Sequence, residues 1–221
     1  MIKMAKANRF KITFKGVLII FLLFAVLAES VAVHYLFREY GRQKRAIAER
    51  DATIKELQER LMLINAIEQY QRGLTSGEVI QVADIIYEES KRYMFDPYLI
   101  LALIVTESSF RKHQVSEYGA MGLMQLMPST AQAVARKNGI DLLDGIDLYN
   151  PVLNVRLGVN YLFDLILKFK SLKQGLLAYN MGESLVIEYN YYNAEPPLGF
   201  YHRVIDNYRD LKSRYGEASI Q

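Results

Sequence analysis

Eleven consecutive apolar residues, Val17 to Leu27, directly follow a segment carrying Lys3, Lys6, Arg9, Lys11 and Lys15 and no acidic residue. Counted from Ile12 to Ala28, the run is about 17 residues with one interrupting lysine, the short edge of what spans a bilayer. It continues weakly to Val33, so residues 12–33 are the expected membrane contact. A buried core helix rarely follows five uncompensated cations, and such a cluster holds the N-terminus in the cytoplasm while the remainder is exported. Two fates compete after export. Val26-Leu27-Ala28 offers the small residues a signal peptidase prefers, which would release a secreted form cut near Ala28. An uncleaved anchor is favoured, because the residues after Ala28 continue as helix rather than as an extended cleavage region. The expected location is the cell envelope, with the bulk of the chain on the outer, periplasmic face of the inner membrane.

The formal charge of +3 follows from that address label. Setting the five cations aside from the 27 leaves 22 basic against 24 acidic residues, about −2 for the rest. A nucleic-acid partner is therefore not expected, since the folded part itself should then be basic. Cysteine is absent, which excludes disulfides, thiolate metal sites and thiol nucleophiles. His34, His113 and His202 are scattered without ligand spacing, so neither metal nor cofactor is expected, and His113 reads as a surface residue.

Four segments follow from composition and turn chemistry. Residues 1–33 are the basic segment and anchor. Residues 34–73 are a polar, helix-prone stalk in which Tyr40, Ile47, Ile54 and Leu61 fall seven apart, with Leu57 and Ile64 three further on from the last two. That weak heptad, broken by Arg50, is short for an independent coiled coil. It reads equally as a stalk with weak self-association or envelope-protein contact through 34–72, or as a solvated helix lying on the domain. Gly73-Leu-Thr-Ser-Gly77 marks a boundary, a domain runs from 74 to 216, and 217–221 is a tail. Within the domain Val79, Val82, Ala83 and Ile86 make one stripe, and Asp96-Pro97, Pro128 and Asn150-Pro151 each open a helix. Further helices are expected over Ser171–Asn180 and Tyr201–Tyr215. No stretch alternates clearly, so the fold class is all-α or nearly so, with the Gly/Met-rich 116–127 as its long irregular element.

The helix opened by Asp96 runs Leu99-Ile-Leu-Ala-Leu-Ile-Val105, apolar on every face, and meets Thr106-Glu107-Ser108 at its end. A helix greasy all round is a central one. As an anion, Glu107 faces an apolar neighbourhood and the negative end of the helix dipole, and both raise its pKa. A carboxylic acid still protonated near neutral pH is what donation to a glycosidic oxygen requires. Taken alone, a glutamate reaching water from a helix end is the commoner case.

Its neighbourhood decides the matter. Glu107-Ser108, then Ser116-Glu-Tyr-Gly119-Ala120-Met-Gly122-Leu-Met-Gln125-Leu-Met127-Pro128-Ser-Thr130-Ala131, resembles the signature of the soluble lytic transglycosylase (SLT) domain, lytic transglycosylase family 1. Asn150-Pro151, Asn154, Gly158 and Tyr161-Leu162 follow in order, then Ala178-Tyr179-Asn180-Met-Gly182, with Tyr201 and Val204 similar to the family's closing helix. The resemblance covers about residues 77–210. It implies a lysozyme-like α-helical fold and cleavage of peptidoglycan glycan strands between N-acetylmuramic acid and N-acetylglucosamine, ending in a 1,6-anhydromuramic product made without water. It also implies Glu107 as the catalytic acid/base. Ser116 and Gln125 would lie near the N-acetyl group, Met127 would form an apolar wall, and Tyr179 and Asn180 would face the glutamate and sugar from the opposite side. Ser108, Gly119, Ala120, Gly122 and Pro128 would be structural parts of the motif. Glu117, at a variable motif position, reads as solvated, which leaves one carboxylate where ordinary glycosidases need two. Two other readings stay open: a hydrolytic muramidase on the same fold, and a catalytically silent glycan-binding scaffold of an envelope assembly. Glu183-Ser184-Leu185 and the segment 189–198 depart from the family's pattern and leave the glycan subsites there unassigned.

Overall fold

The computed structural model describes residues 2–140 and 147–216, with side chains from residue 14 onward. It divides into two compact units, Met1–Glu56 and Leu57–Gln221. The first is the greater part of one helix, α1 (Ile2–Tyr70), whose later turns belong to the second unit. In the first unit the large apolar side chains from Val17 to Leu27 are each 51–71% exposed. The helix is long and apolar enough there to cross a membrane. The heptad residues Tyr40, Ile47 and Ile54 are likewise exposed.

The second unit is all-α among the described residues, as expected. Its helices are the end of α1, then α2 (Ser76–Tyr93), α3 (Pro97–Ser108), α4 (Pro128–Lys137), α5 (Pro151–Phe169), α6 (Leu172–Met181), α7 (Glu183–Tyr191) and α8 (Gly199–Tyr215). Leu63, Ala66 and Ile67 of α1 are buried in its core, a part in the domain that a stalk running to residue 73 does not provide for. The segment 217–221, expected as a tail, lies outside the described residues.

Helix starts follow local chemistry. Thr75 and Glu78 form a reciprocal capping box on α2. The Asp96 carboxylate accepts from the Tyr98 amide at 3.0 Å with Pro97 at the first helical position. Asn150 accepts from the Leu153 amide ahead of α5. Helix α3 is central. Every residue from Tyr98 to Ile104 is buried, and α8 packs along it while α2 flanks it. Asp96 also receives Tyr208 (2.9 Å) and Lys212 of α8, and the Tyr98 hydroxyl donates to the Tyr215 carbonyl at 2.7 Å. These bonds pin α8 to α3 at the end away from Glu107.

Two smaller apolar clusters complete the domain. One seats α4 and the irregular segment on α5 through Leu126, Ala131, Val134, Leu148 and Leu157. The other joins α5, α6 and α7 through Leu165, Leu177, Ala178 and Val186. Tyr179 packs against all three clusters, so one side chain sits where they meet.

Candidate active site

Glu107 occupies the last turn of α3, where the chain leaves the helix under constraint. Ser109 caps the helix with φ of 51°, and Phe110 follows at 56°. Two successive left-handed non-glycine residues cost roughly 1–2 kcal/mol each, and such strain persists only where its surroundings over-determine it. Those surroundings are visible. Phe110 is 1% exposed, its carbonyl accepts from the Arg72 amide at 3.0 Å, and the Lys112 amide donates back to the Arg72 carbonyl. On the preceding turn Thr106 Oγ1 donates to the Ala102 carbonyl at 2.7 Å and accepts from Asn207 Nδ2 of α8 at 2.9 Å. The end of α3 is thus held on both sides of Glu107.

The Glu107 carboxyl is only partly exposed, and among the described residues no side chain bonds or ion-pairs with it. Burial pushes its pKa up to about 8, opposed by the field of Arg203. Burial at the end of an apolar helix disfavours the anion relative to the neutral acid. Near neutral pH the group is an acid with a proton to give.

The segment 113–127 is built as a frame rather than a loose loop. Ser116 and Ala120 exchange bonds, the Ser116 amide to the Ala120 carbonyl at 2.9 Å and the Ala120 amide to Ser116 Oγ at 3.0 Å. Met121 and Leu126 pair through both amides. Asn154, buried on α5, grips the frame from beneath. Its Oδ1 accepts from the Met124 amide at 2.8 Å, and its Nδ2 donates to the Met121 and Leu148 carbonyls at 2.9 and 3.1 Å. Gly122 has φ of 78°, and a side chain there would begin 2.3 Å from Asn154 Nδ2 and 2.4 Å from the Leu148 carbonyl. The close approach that demands glycine is therefore the Asn154 clamp. Met124 is fully buried against Gly158 of α5, whereas Met127, 39% exposed, precedes Pro128 at the start of α4.

Gln125 adopts φ of 48° and spends its amide donors inward, Nε2 to the Gln114 carbonyl at 3.1 Å and to Gly122 at 2.9 Å. That fixes the amide plane and leaves Oε1 without a bond among the described residues, an acceptor set for an N–H donor. Tyr179, on α6, donates its hydroxyl to the Met124 carbonyl at 2.8 Å and lies 5.3 Å from Tyr161 between ring centroids. Burial holds its pKa well above the ordinary value, and the fields of Glu107 and Tyr161 add to the shift. The structure thus brings Glu107, Tyr179 and the frame bearing Ser116 and Gln125 together. Asn180 is exposed beside Tyr179, and Glu117 is exposed on the frame. His113 is exposed and lies against Tyr149. Sequence reasoning did not single out the Asn154 clamp, although Asn154 stands in the Asn-Pro-x-x-Asn block, nor Arg203, whose approach depends on packing across 96 residues of chain.

The sequence profile described as Transglycosylase SLT domain matches residues 84–197, which contain all of these residues except Arg72, Arg203 and Asn207. A membrane-bound lytic murein transglycosylase E from Buchnera aphidicola (subsp. Baizongia pistaciae) is 38% identical over 96 residues, 42% of this chain and 45% of that protein. A transglycosylase of Enterobacteria phage PRD1 is 34% identical over 103 residues, 47% of this chain and 36% of the phage protein. The chain spans less than half the length of these curated relatives. The crystal structure of an inactive mutant of the lytic transglycosylase Slt from Pseudomonas aeruginosa is 28% identical, covering 58% of this chain and 22% of that one, with a TM-score of 0.47.

Proposed function

Because the chain belongs to the transglycosylase SLT domain family, we propose that it is a peptidoglycan lytic transglycosylase in which Glu107 is the single acid/base. The observation that carries this reading is the desolvated Glu107 carboxyl, with a pKa raised to about 8 and no second carboxylate exerting a field on it among the described residues. Most hydrolytic glycosidases place a partner carboxylate within about 5–10 Å of the acid.

One carboxylate serves both proton transfers. The neutral Glu107 gives its proton to the glycosidic oxygen as the bond from C1 of N-acetylmuramic acid breaks. The carbonyl oxygen of the sugar's own N-acetyl group adds to C1 and takes up the developing positive charge. Glu107, now a carboxylate, removes the proton of the C6 hydroxyl. O6 then attacks C1 and displaces the acetamido oxygen, leaving a 1,6-anhydro ring and a glutamic acid ready for the next turnover. No water enters. Gln125 Oε1 is the acceptor for the N-acetyl N–H, oriented by its two inward bonds. Ser116 keeps its hydroxyl hydrogen for the same group, while Met127 and Asn180 present an apolar and a polar surface to the glycan. Tyr179 holds the frame in register with Glu107 through the Met124 carbonyl.

The apolar run of α1 anchors the protein, with the basic N-terminus cytoplasmic and the catalytic unit on the outer face of the inner membrane. Mass analysis of products from purified peptidoglycan tests the reaction. Muropeptides one water lighter than muramidase products are expected, and mainly reducing-end muramic acid would move the enzyme to the hydrolytic class.

A further inference from the structure

The cations of α8 are bound in ion pairs with one exception. Arg209 pairs with Asp206 at 3.5 Å, Arg214 with Asp210 at 2.8 Å, and Lys212 with Asp96. Arg203 has no ion-pair partner among the described residues. Its place on the helix is fixed by a neighbour. Asn207, one turn further along the same face, donates to Thr106, the residue before Glu107. Arg203 therefore stands on the α8 face that meets the end of α3, one turn nearer the N-terminus of α8. Its guanidinium folds back in that direction, 5.8 Å from the Phe200 ring centroid, with one nitrogen 3.7 Å from where a side chain on Gly199 would begin. The sole unpaired cation of this helix thus stands where its field reaches the Glu107 carboxyl, which has no contact partner among the described residues.

We propose that Arg203 is the positioning charge for Glu107, steadying the carboxylate that exists between the two proton transfers. This rests on the acid/base reading of Glu107. A carboxyl desolvated by α3 gives up its proton well only if the resulting anion is not prohibitively costly, and its basicity in the second transfer must not be excessive. An exposed cation that makes no ion-pair contact with the carboxyl lowers that cost without forming the contact pair that would deprotonate the resting acid. Arg203 from α8 is the charged group whose field acts on this carboxyl, and the carboxyl in turn acts on the Tyr179 phenol from α6. Helix α2, also packed on α3, directs its buried Glu89 toward α5 instead.

The test is Arg203→Gln beside Arg203→Lys in the full-length protein, read by the pH dependence of kcat and by carbon NMR titration of the Glu107 carboxyl. Arg203→Gln should move the alkaline limb and the titration midpoint to higher pH and lower kcat about 2- to 10-fold, the range of a partly screened charge interaction, with KM little changed. Arg203→Lys should restore most of the limb position. A raised KM with the midpoint unmoved would overturn the proposal and make Arg203 a substrate anchor. An unmoved midpoint with unchanged kinetics would overturn it outright. The titration needs no turnover, so a midpoint that moves in a protein forming no anhydro product would refute the proposed reaction and leave the charge coupling standing.

Discussion

Among the described residues two glutamates of this domain have their pKa raised by desolvation, and they are treated differently. Glu89, on α2, is fully buried and surrounded by partners: Arg92 at 3.2 Å, Arg156 at 3.5 Å and Asn160 Nδ2 at 3.5 Å, with Asn160 itself accepting from the Tyr93 hydroxyl at 2.6 Å. Glu107, on α3, retains some exposure and has no contact partner among the described residues, only the field of Arg203. Burial raises the pKa of both, and at Glu89 two arginines oppose it. The difference teaches what separates a structural carboxyl from a reactive one. The first is given cations and donors that make its charge tolerable, so it can tie α2 to α5. The second is denied them while a path to substrate stays open, which keeps the proton available.

The largest effect expected from breaking this contrast is that of Glu107→Gln. Gln keeps the size of the side chain but has no acidic proton, so turnover on peptidoglycan should fall by about 10²–10⁴-fold or more. Retention of more than about a tenth of turnover would remove Glu107 from its role. The same variant carries a stability signature. A carboxyl whose pKa is 4.5 when unfolded and about 8 when folded binds its proton more tightly in the native state. Its favourable contribution is complete below pH 4.5 and is lost as pH rises through 8. Thermal melts should therefore show wild type losing stability relative to Glu107→Gln across that window. A constant gap between the two would contradict the desolvation account.

Gly122→Ala should cost about 2–3 kcal/mol or more, since the new methyl meets Asn154 and the Leu148 carbonyl in a backbone conformation that disfavours side chains. By loosening the frame it should admit water to Glu107 and lower its pKa while leaving Glu89 unaffected. Chemical denaturation and the alkaline activity limb read the two effects. Glu89→Gln inverts the pattern. It should destabilise by about 1–3 kcal/mol, because Arg156 and Arg92 lose their anion but keep access to water, and turnover per folded molecule should hold. A turnover loss as large as that of Glu107→Gln would erase the distinction. The smallest change expected is at Met94, which caps α2 with φ of 56° and is 93% exposed. Met94→Gly should stabilise by about 1 kcal/mol or less in denaturation, with both carboxyls and the activity unmoved.

Much of this was legible in the chain because it is local. The caps Asp96 and Asn150, the prolines after them and the all-apolar Leu99–Val105 place α3 and α5 within a residue or two, and they predict the direction of the Glu107 shift. The structure sharpens the cause. Burial is the largest cause of the raised Glu107 pKa, and the field of Arg203 opposes it. What stayed illegible depends on contacts between distant segments. Helix α7 carries no proline start signal, and its 183–191 stretch departs from the family pattern. Leu63, Ala66 and Ile67 look like a continuation of a polar stalk until the domain's core closes over them. Ser109 and Phe110 give no hint of left-handed backbone, which the buried Phe110 ring and the pairing with Arg72 impose from elsewhere. Asn154 reads as a motif residue, and only the folded frame shows that three backbone groups converge on it.

The central claim is that Glu107 is a desolvated carboxyl, without a contact partner among the described residues, held protonated at neutral pH. Carbon NMR titration of carboxyl-labelled protein, with the Glu107 signal assigned by its loss in Glu107→Gln, tests this without substrate. The account predicts a midpoint near the value of about 8 that burial imposes. A midpoint at the ordinary 4.5 would contradict it, because Glu107 would then be an anion when the glycan arrives.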